Sequence, residues 1–275
     1  LGGLNTLIIE ANPVDSITGR YDQYEQYHFN NIATLRFDIN EDHENPLLDV
    51  TFDGVHILNG DIVSAKPEVL VTLDDENPTL LLDSPADTTY FKVFLTDPQG
   101  AQRRVYFRNG AGEDVMRFIP ANGPDNISHI EYHPLFPVDG TYRLTVRASD
   151  ISHNASGDHD LQIEFQVINA ATITEVLNYP NPFTTSTRFV FTITGSQVPN
   201  YMKVQIMTIS GRVVREITNM ELGPMHVGRN ITEYAWDGTD QFGDKLARGV
   251  YLYRVIAKLD GDDMELRPTA AAGYF

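Results

Sequence analysis

Apolar side chains along this chain return every second residue in short runs, and not at the three-and-four spacing of a helix face. In Tyr142-Arg-Leu-Thr-Val-Arg-Ala148, Leu144 and Val146 fall on one side and Arg143, Thr145 and Arg147 on the other, the pattern of a strand with one wet face. Comparable runs rich in β-branched and ring side chains are Leu4–Ile9, Ile32–Ile39, Val69–Leu73, Phe91–Leu95, Arg103–Phe107, Leu161–Val167, Thr187–Thr192, Lys203–Met207 and Val250–Ala257. Gly, Pro, Asn and Asp punctuate them, as turns require. No window holds apolar residues at i, i+3, i+4 and i+7 between helix caps. The pattern predicts an all-β chain built of sandwiches.

Three units are expected. The acidic stretch Asn40-Glu-Asp-His-Glu-Asn-Pro46 reads as a linker, and Ile168-Asn-Ala-Ala171 as a second joint. These divide the chain into 1–44, 45–170 and 171–275. The last two are long enough for sandwiches of roughly 100 residues, whereas the first supplies only the terminal strands of a domain.

Composition narrows the classes of function. The chain carries 38 Asp and Glu against 20 Lys and Arg, a net charge of −18. Such a surface has too few cations to displace phosphate counterions, which argues against nucleic acid. No apolar run approaches the ~20 residues of a spanning helix, so no membrane insertion is expected. With no cysteine, disulfides, thiolate nucleophiles and thiolate metal sites are excluded, and packing alone must hold the sandwiches. Residue 1 is Leu, without an initiator Met or signal-peptide core, so the numbering is read as starting inside a longer polypeptide.

Three groups of phrases carry family resemblances. Leu4-Asn-Thr-Leu-Ile-Ile-Glu10 with Glu25-Gln-Tyr-His-Phe-Asn-Asn31 resembles the last strands of a CARDB domain, a bacterial immunoglobulin-like adhesion module. Asn45-Pro-Leu-Leu-Asp-Val-Thr-Phe-Asp-Gly-Val-His-Ile-Leu-Asn-Gly-Asp-Ile-Val-Ser-Ala-Lys-Pro67 is similar to a region of very large Bacteroidetes surface proteins that often also carry a gingipain- or sortase-like cysteine peptidase domain. Downstream, Asp139-Gly-Thr-Tyr-Arg-Leu-Thr-Val-Arg-Ala-Ser-Asp150 resembles the closing strands of a bacterial immunoglobulin-like domain, with Tyr142 as a tyrosine-corner anchor.

Asn178-Tyr-Pro-Asn-Pro-Phe183, Val204-Gln-Ile-Met-Thr-Ile-Ser-Gly-Arg-Val-Val214 and Trp236-Asp-Gly-Thr-Asp-Gln-Phe-Gly-Asp-Lys-Leu-Ala-Arg-Gly-Val-Tyr-Leu-Tyr-Arg254 follow in order. This series resembles type IX secretion C-terminal sorting domains and the related flagellar hook-cap immunoglobulin-like fold. Pro180 and Pro182 cannot donate to a ladder and belong at an edge. Ser210-Gly211 supplies a hairpin turn, and the lone Trp236 is expected to plug one end of the sandwich. Members of that family continue past a segment like Thr269–Phe275 into another strand, so a final strand is expected to be missing here.

Several clusters invite a chemical reading. His129, Glu131 and His133 recur at period two, the right residue types for zinc or copper. Asp74, Asp75 and Glu76 in one loop, Asp237 and Asp240 with Asp244 in another, and the linker Asp38–Asp42 offer the hard oxygens calcium prefers, without EF-hand spacing. Asp in hairpins commonly bonds its own backbone instead. Asn126-Ile-Ser128 and Asn230-Ile-Thr232 match the glycosylation pattern, a match that chance supplies often. No nucleophile elbow, zinc-protease helix or phosphate loop is present, and no catalytic residue is assigned.

The resemblances together imply tandem immunoglobulin-like β-sandwiches in a secreted, non-catalytic segment at the outer cell surface, reached via the periplasm. The partners implied are the type IX machinery, neighbouring domains of the parent protein, and other copies through sheet edges. The exporter is expected to read the third unit near Tyr251, Tyr253, Arg254, Arg267, Tyr274 and Phe275. Two alternatives stand beside this: an accessory region of a gingipain- or sortase-like peptidase, and a calcium- or carbohydrate-dependent adhesion module. Exposed aromatics on one face, for instance Tyr21, Tyr24 and Tyr27, would favour the last.

Overall fold

The computed structural model describes residues 2–39, 41–123 and 125–259, and the backbone of 262–263 and 271–274. Strands β1 (Gly3–Glu10) and β2 (Ile32–Ile39) form an isolated antiparallel pair with Leu7 opposite Leu35. Cross-strand partners share a face, so Leu7, Ile9, Leu35, Phe37 and Ile39 lie on one side, and Thr6, Arg36 and Asp38 on the other. Every residue of β2 is exposed, so this hairpin encloses no core of its own. Asp15 orders the intervening loop by accepting from the backbone N–H of Ile17 and Thr18.

The second unit comprises β3 (Leu47–Phe52), β4 (Asp61–Val63), β5 (Val69–Asp75), β6 (Phe91–Thr96), β7 (Gln102–Val105), β8 (Met116–Ile119), β9 (Asn126–Tyr132), β10 (Gly140–Ala148) and β11 (Leu161–Val167). They assemble into two sheets, β4-β11-β10-β6-β7 and β3-β5-β9-β8. Inward residues seal one core that includes Phe52, Leu73, Ile130, Phe136 and Phe165. In β10, Leu144 and Val146 are buried while Arg143 and Arg147 are exposed, as the alternation requires. Neighbouring strands also cover Thr145.

The third unit contains β12 (Ile173–Tyr179), β13 (Arg188–Ile193), β14 (Tyr201–Thr208), β15 (Val213–Thr218), the one-turn helix α1 (Asn219–Leu222), β16 (Gly228–Ile231) and β17 (Gly249–Leu259). One sheet is β12-β13-β16, and the other carries β15-β14-β17. The backbone strands β18 (Asp262–Asp263) and β19 (Ala271–Tyr274) both run antiparallel to β17. A separate core joins Phe189, Phe191, Ile206, Ile217 and Trp236. The molecule is all-β: tandem immunoglobulin-like sandwiches preceded by a hairpin.

Local predictions find physical form here. The Ser210-Gly211 turn joins β14 to β15, with Gly211 at φ +83° donating to Thr208 O. Pro180 and Pro182 lie just beyond β12, an edge strand, and both follow cis peptide bonds. Tyr142 Oη donates to Val138 O at 3.0 Å, the anticipated tyrosine corner. Tyr251 Oη likewise donates to the carbonyl four residues upstream, Ala247 O, at 2.6 Å. Both strands start Gly-x-Tyr, a shared signature of the two sandwiches that the alternation pattern alone did not reveal.

The two sandwiches meet closely. Ala65 N donates to Gly195 O at 3.1 Å and Ser64 Oγ to Ser196 O at 2.9 Å. Ile62 of β4 packs against the third unit's core. Gly228 approaches so near that a Cβ there would stand 2.5 Å from Ile62 O.

Candidate functional site

The acidic loop after β5 is where the predicted cation ligands and the linker converge. Asp75 ends β5 pointing inward and is 3% exposed, whereas Asp74 faces solvent. Alternation therefore splits the adjacent pair. The linker brings Asp42 into the place Asp74 leaves: ligand oxygens of Asp42, Asp75 and Glu76 lie within 4.8 Å of one another. No other trio of His, Asp or Glu converges in this way among the described residues.

Amides organise the carboxylates. Asn126 Nδ2 donates to Asp75 Oδ2 at 2.9 Å, to Leu80 O and to Asn77 O, while its Oδ1 accepts from Leu82 N. Asn77 Nδ2 donates to Asp42 Oδ2 at 2.9 Å, and Asn154 Nδ2 bridges Asp42 O and Asp150 Oδ2. The side-chain bond from Asn77 is the chief reason that Asp42 titrates below the ordinary range. Burial pushes Asp75 the opposite way, up to about 6, and the nearby charges of Asp150, Glu76 and Asp42 add to it. The site stitches the linker to the second sandwich, and its oxygens are chemically suited to a proton or a hard divalent cation.

The remaining candidates are placed apart. His129 Nδ1 contacts Thr72 Oγ1 at 3.0 Å, Glu131 pairs with Arg117 at 3.4 Å, and His133 lies past the end of β9. The three are not brought together: His129 and Glu131 are held by different neighbours, and His133 lies beyond the strand. Asp237 accepts from Thr239 Oγ1 and pairs with Lys245, which lowers its pKa. Asp240 accepts from the backbone N–H of Phe242 and Asp244. Both aspartates thus serve their own turn. Asn126 and Asn230 are buried with their amides engaged, so neither glycosylation match presents an acceptor.

Of the residues named for sorting, Tyr251 and Tyr253 point inward from β17 and are core members. Trp236 stands 5.7 Å from Tyr251 and 5.4 Å from Phe183, ring centre to ring centre. Burial pushes the Tyr253 hydroxyl up to about 12. Arg254 is exposed and donates Nε to Gln205 Oε1 at 2.7 Å. Surface contact at this strand therefore falls to Val250, Leu252 and Arg254. Tyr274 is described by its backbone alone, and Arg267 and Phe275 lie outside the described residues. Tyr21, Tyr24 and Tyr27, whose exposure on one face would favour the adhesion alternative, have separate surroundings: Tyr21 stacks on His28 at 3.9 Å, Tyr27 meets Phe29 edge-on, and Tyr24 stands in solvent.

No family model and no curated protein matches the chain. Solved structures with partial likeness include dimeric latent PorU from Porphyromonas gingivalis, 18% identical at a TM-score of 0.34, covering 88% of this chain and 22% of that one. The fibronectin(III)-like modules of Clostridium thermocellum CbhA are 13% identical at 0.24, covering 82% and 93%. The Escherichia coli adhesin FdeC is 12% identical at 0.26, covering 89% and 69%. The chain spans about a fifth of the PorU chain it matches. Among the described residues, no helix is long and apolar enough to cross a membrane.

Proposed function

We propose that this chain is a non-catalytic structural segment of a secreted cell-surface protein, with its third sandwich acting as a type IX sorting domain. The observation that carries the reading is the convergence of all three sorting-type phrases on one core. Phe183 from the first, and Trp236 and Tyr251 from the third, interlock there. Val204 and Ile206, from the middle phrase, belong to the same core. The phrases that prompted the resemblance are thus the ones that specify the folded unit, which supports common design over a chance match of short strings. On this reading the second sandwich is a spacer, docked on the third through β4 and β16, and the exporter reads the third unit's outer face around Arg254.

The test is a fusion of the third unit, from residue 171 onward with the native C-terminal end restored, to a periplasmic reporter in a host with type IX export. Reporter at the cell surface or in the medium is expected. Reporter retained in the periplasm, with the fused unit folded, refutes the sorting role and leaves only the structural one.

A further inference from the structure

At one side of the second sandwich lie the edge strands of its two sheets, β7 and β8, joined by the loop 106–115. The resulting groove has a volume of about 650 Å³, within the ~300–1,000 Å³ usual for ligand sites. Its lining combines apolar Phe107, Met116 and Phe118 with three arginines, Arg104, Arg108 and Arg117, against one carboxylate, Asp114.

The strands and loop that form the groove are locally cationic. Between Lys92 and Arg117 the sequence has five cations (Lys92, Arg103, Arg104, Arg108, Arg117) and three anions (Asp97, Glu113, Asp114), a local excess of two positive charges in a chain of net −18. Arg108 pairs with Asp114 at 3.0 Å and Arg117 with Glu131 at 3.4 Å, both arginines standing largely in solvent. The Arg108–Asp114 pair, exposed on both sides, contributes about 0–1 kcal/mol, so an incoming acid can displace it at little cost. Arg104 is different. Its guanidinium lies 5.0 Å from the ring centre of Tyr106, and none of the ion pairs among the described residues engages it. Tyr106 remains 60% exposed with the arginine in place.

We infer that this groove binds an anionic carbohydrate. A guanidinium fork reads a planar carboxylate or a sulfate through paired N–H donors. An exposed ring beside it offers a flat apolar platform with a polar tip, suited to the face of a pyranose. Thr88 and Thr89 at the groove wall add hydroxyl donors and acceptors for sugar hydroxyls. Polyanions are repelled at long range by the protein as a whole, so recognition acts at short range and weakens with salt. This role is independent of sorting by the third sandwich.

The experiment is titration of the full chain with four polymers at low salt: heparin as the sulfated probe, alginate as the carboxylated one, neutral dextran, and polyglutamate as the acidic polypeptide. Binding of heparin or alginate above dextran is expected, and which of the two binds identifies the acid. Arg104→Ala is expected to weaken it by about tenfold or more. Arg104→Lys should retain only part of the affinity, Tyr106→Ala should weaken glycan binding, and the remote control Arg212→Ala should bind like the native chain. All these sites are exposed, and unchanged circular dichroism and melting verify the fold. The inference is overturned if neither charged glycan exceeds dextran, or if Arg104→Ala binds like the control. It is also overturned if polyglutamate binds as well as the glycans and Tyr106→Ala leaves both unaffected, since the groove would then be an acidic-peptide site.

Discussion

Replacing Asp75 by asparagine isolates the energetic cost of the buried carboxylate at the linker junction. In the native chain Asp75 is held at about 6 against an ordinary 3.8, chiefly by desolvation. Between those values the folded state keeps a proton that the unfolded state has released, so stability falls as pH rises from about 4 to about 6 and stays lower above. Two pKa units correspond to roughly 3 kcal/mol as an upper bound. Glu76 is exposed and Asp42 only half-buried, so water reaches this end of the sandwich and about 1–2 kcal/mol is the expected effect. The carboxylates with lowered values, Asp42, Asp160 and Asp237 among them, act in the other direction. Their stabilisation is present above the ordinary carboxylate range and lost only below it, outside the Asp75 window.

Asp75→Asn retains one acceptor for the bond from Asn126 Nδ2 and gives up the weaker bond from Asn77 N, 3.3 Å long in the native chain. At pH ~7.5 in chelator the variant should therefore be more stable by about 1 kcal/mol, after about 0.5–1 kcal/mol is deducted for that hydrogen bond. Between pH ~4 and ~6 its stability should be nearly flat while that of the native chain declines. Urea denaturation followed by far-UV circular dichroism across this range makes the measurement. Equal pH slopes for the two proteins would refute the claim that burial, and not hydrogen bonding, dominates at Asp75.

Other expectations concern packing and ligands. Gly228→Ala should drive β16 away from Ile62 O and split the thermal unfolding of the two sandwiches into separate calorimetric transitions, because the added Cβ has no room; a single unshifted transition contradicts this. Trp236→Phe should cost about 2–3 kcal/mol by urea denaturation, from lost volume and an unanswered Thr239 carbonyl. The native chain, with its one Trp fully buried, should show blue-shifted emission that is poorly quenched by acrylamide. Tyr142→Phe and Tyr251→Phe should each cost about 1 kcal/mol by removing the bond to the carbonyl four residues upstream. Calcium added to the EDTA-dialysed chain should raise its melting midpoint and leave Asp42→Asn unmoved; a constant native midpoint removes the calcium reading.

Alternation and turn chemistry in the amino-acid sequence were enough to determine the all-β class and the principal strands. Burial on one face at period two leaves few other solutions for runs such as Tyr142–Ala148 and Val250–Ala257. The Ser210-Gly211 hairpin and the burial of Trp236 were legible for the same reason: each depends on local geometry or on a single large apolar side chain. Short strands such as β4, β8 and β16 were not legible, because three or four residues carry too little periodicity and tertiary pairing defines them.

Only the tertiary structure decided which charged residues meet. Adjacent Asp74 and Asp75 look equivalent in sequence, yet the pleat sends one to solvent and the other inward, where Asp42 arrives from the linker. Arg104, Arg108 and Arg117 belong to two edge strands and a loop, and they face one groove because the two sheets end side by side. Period-two patterning specifies the side of a strand a residue occupies. The partner across a loop or between sheets is set by long-range packing, which leaves no local trace in the chain.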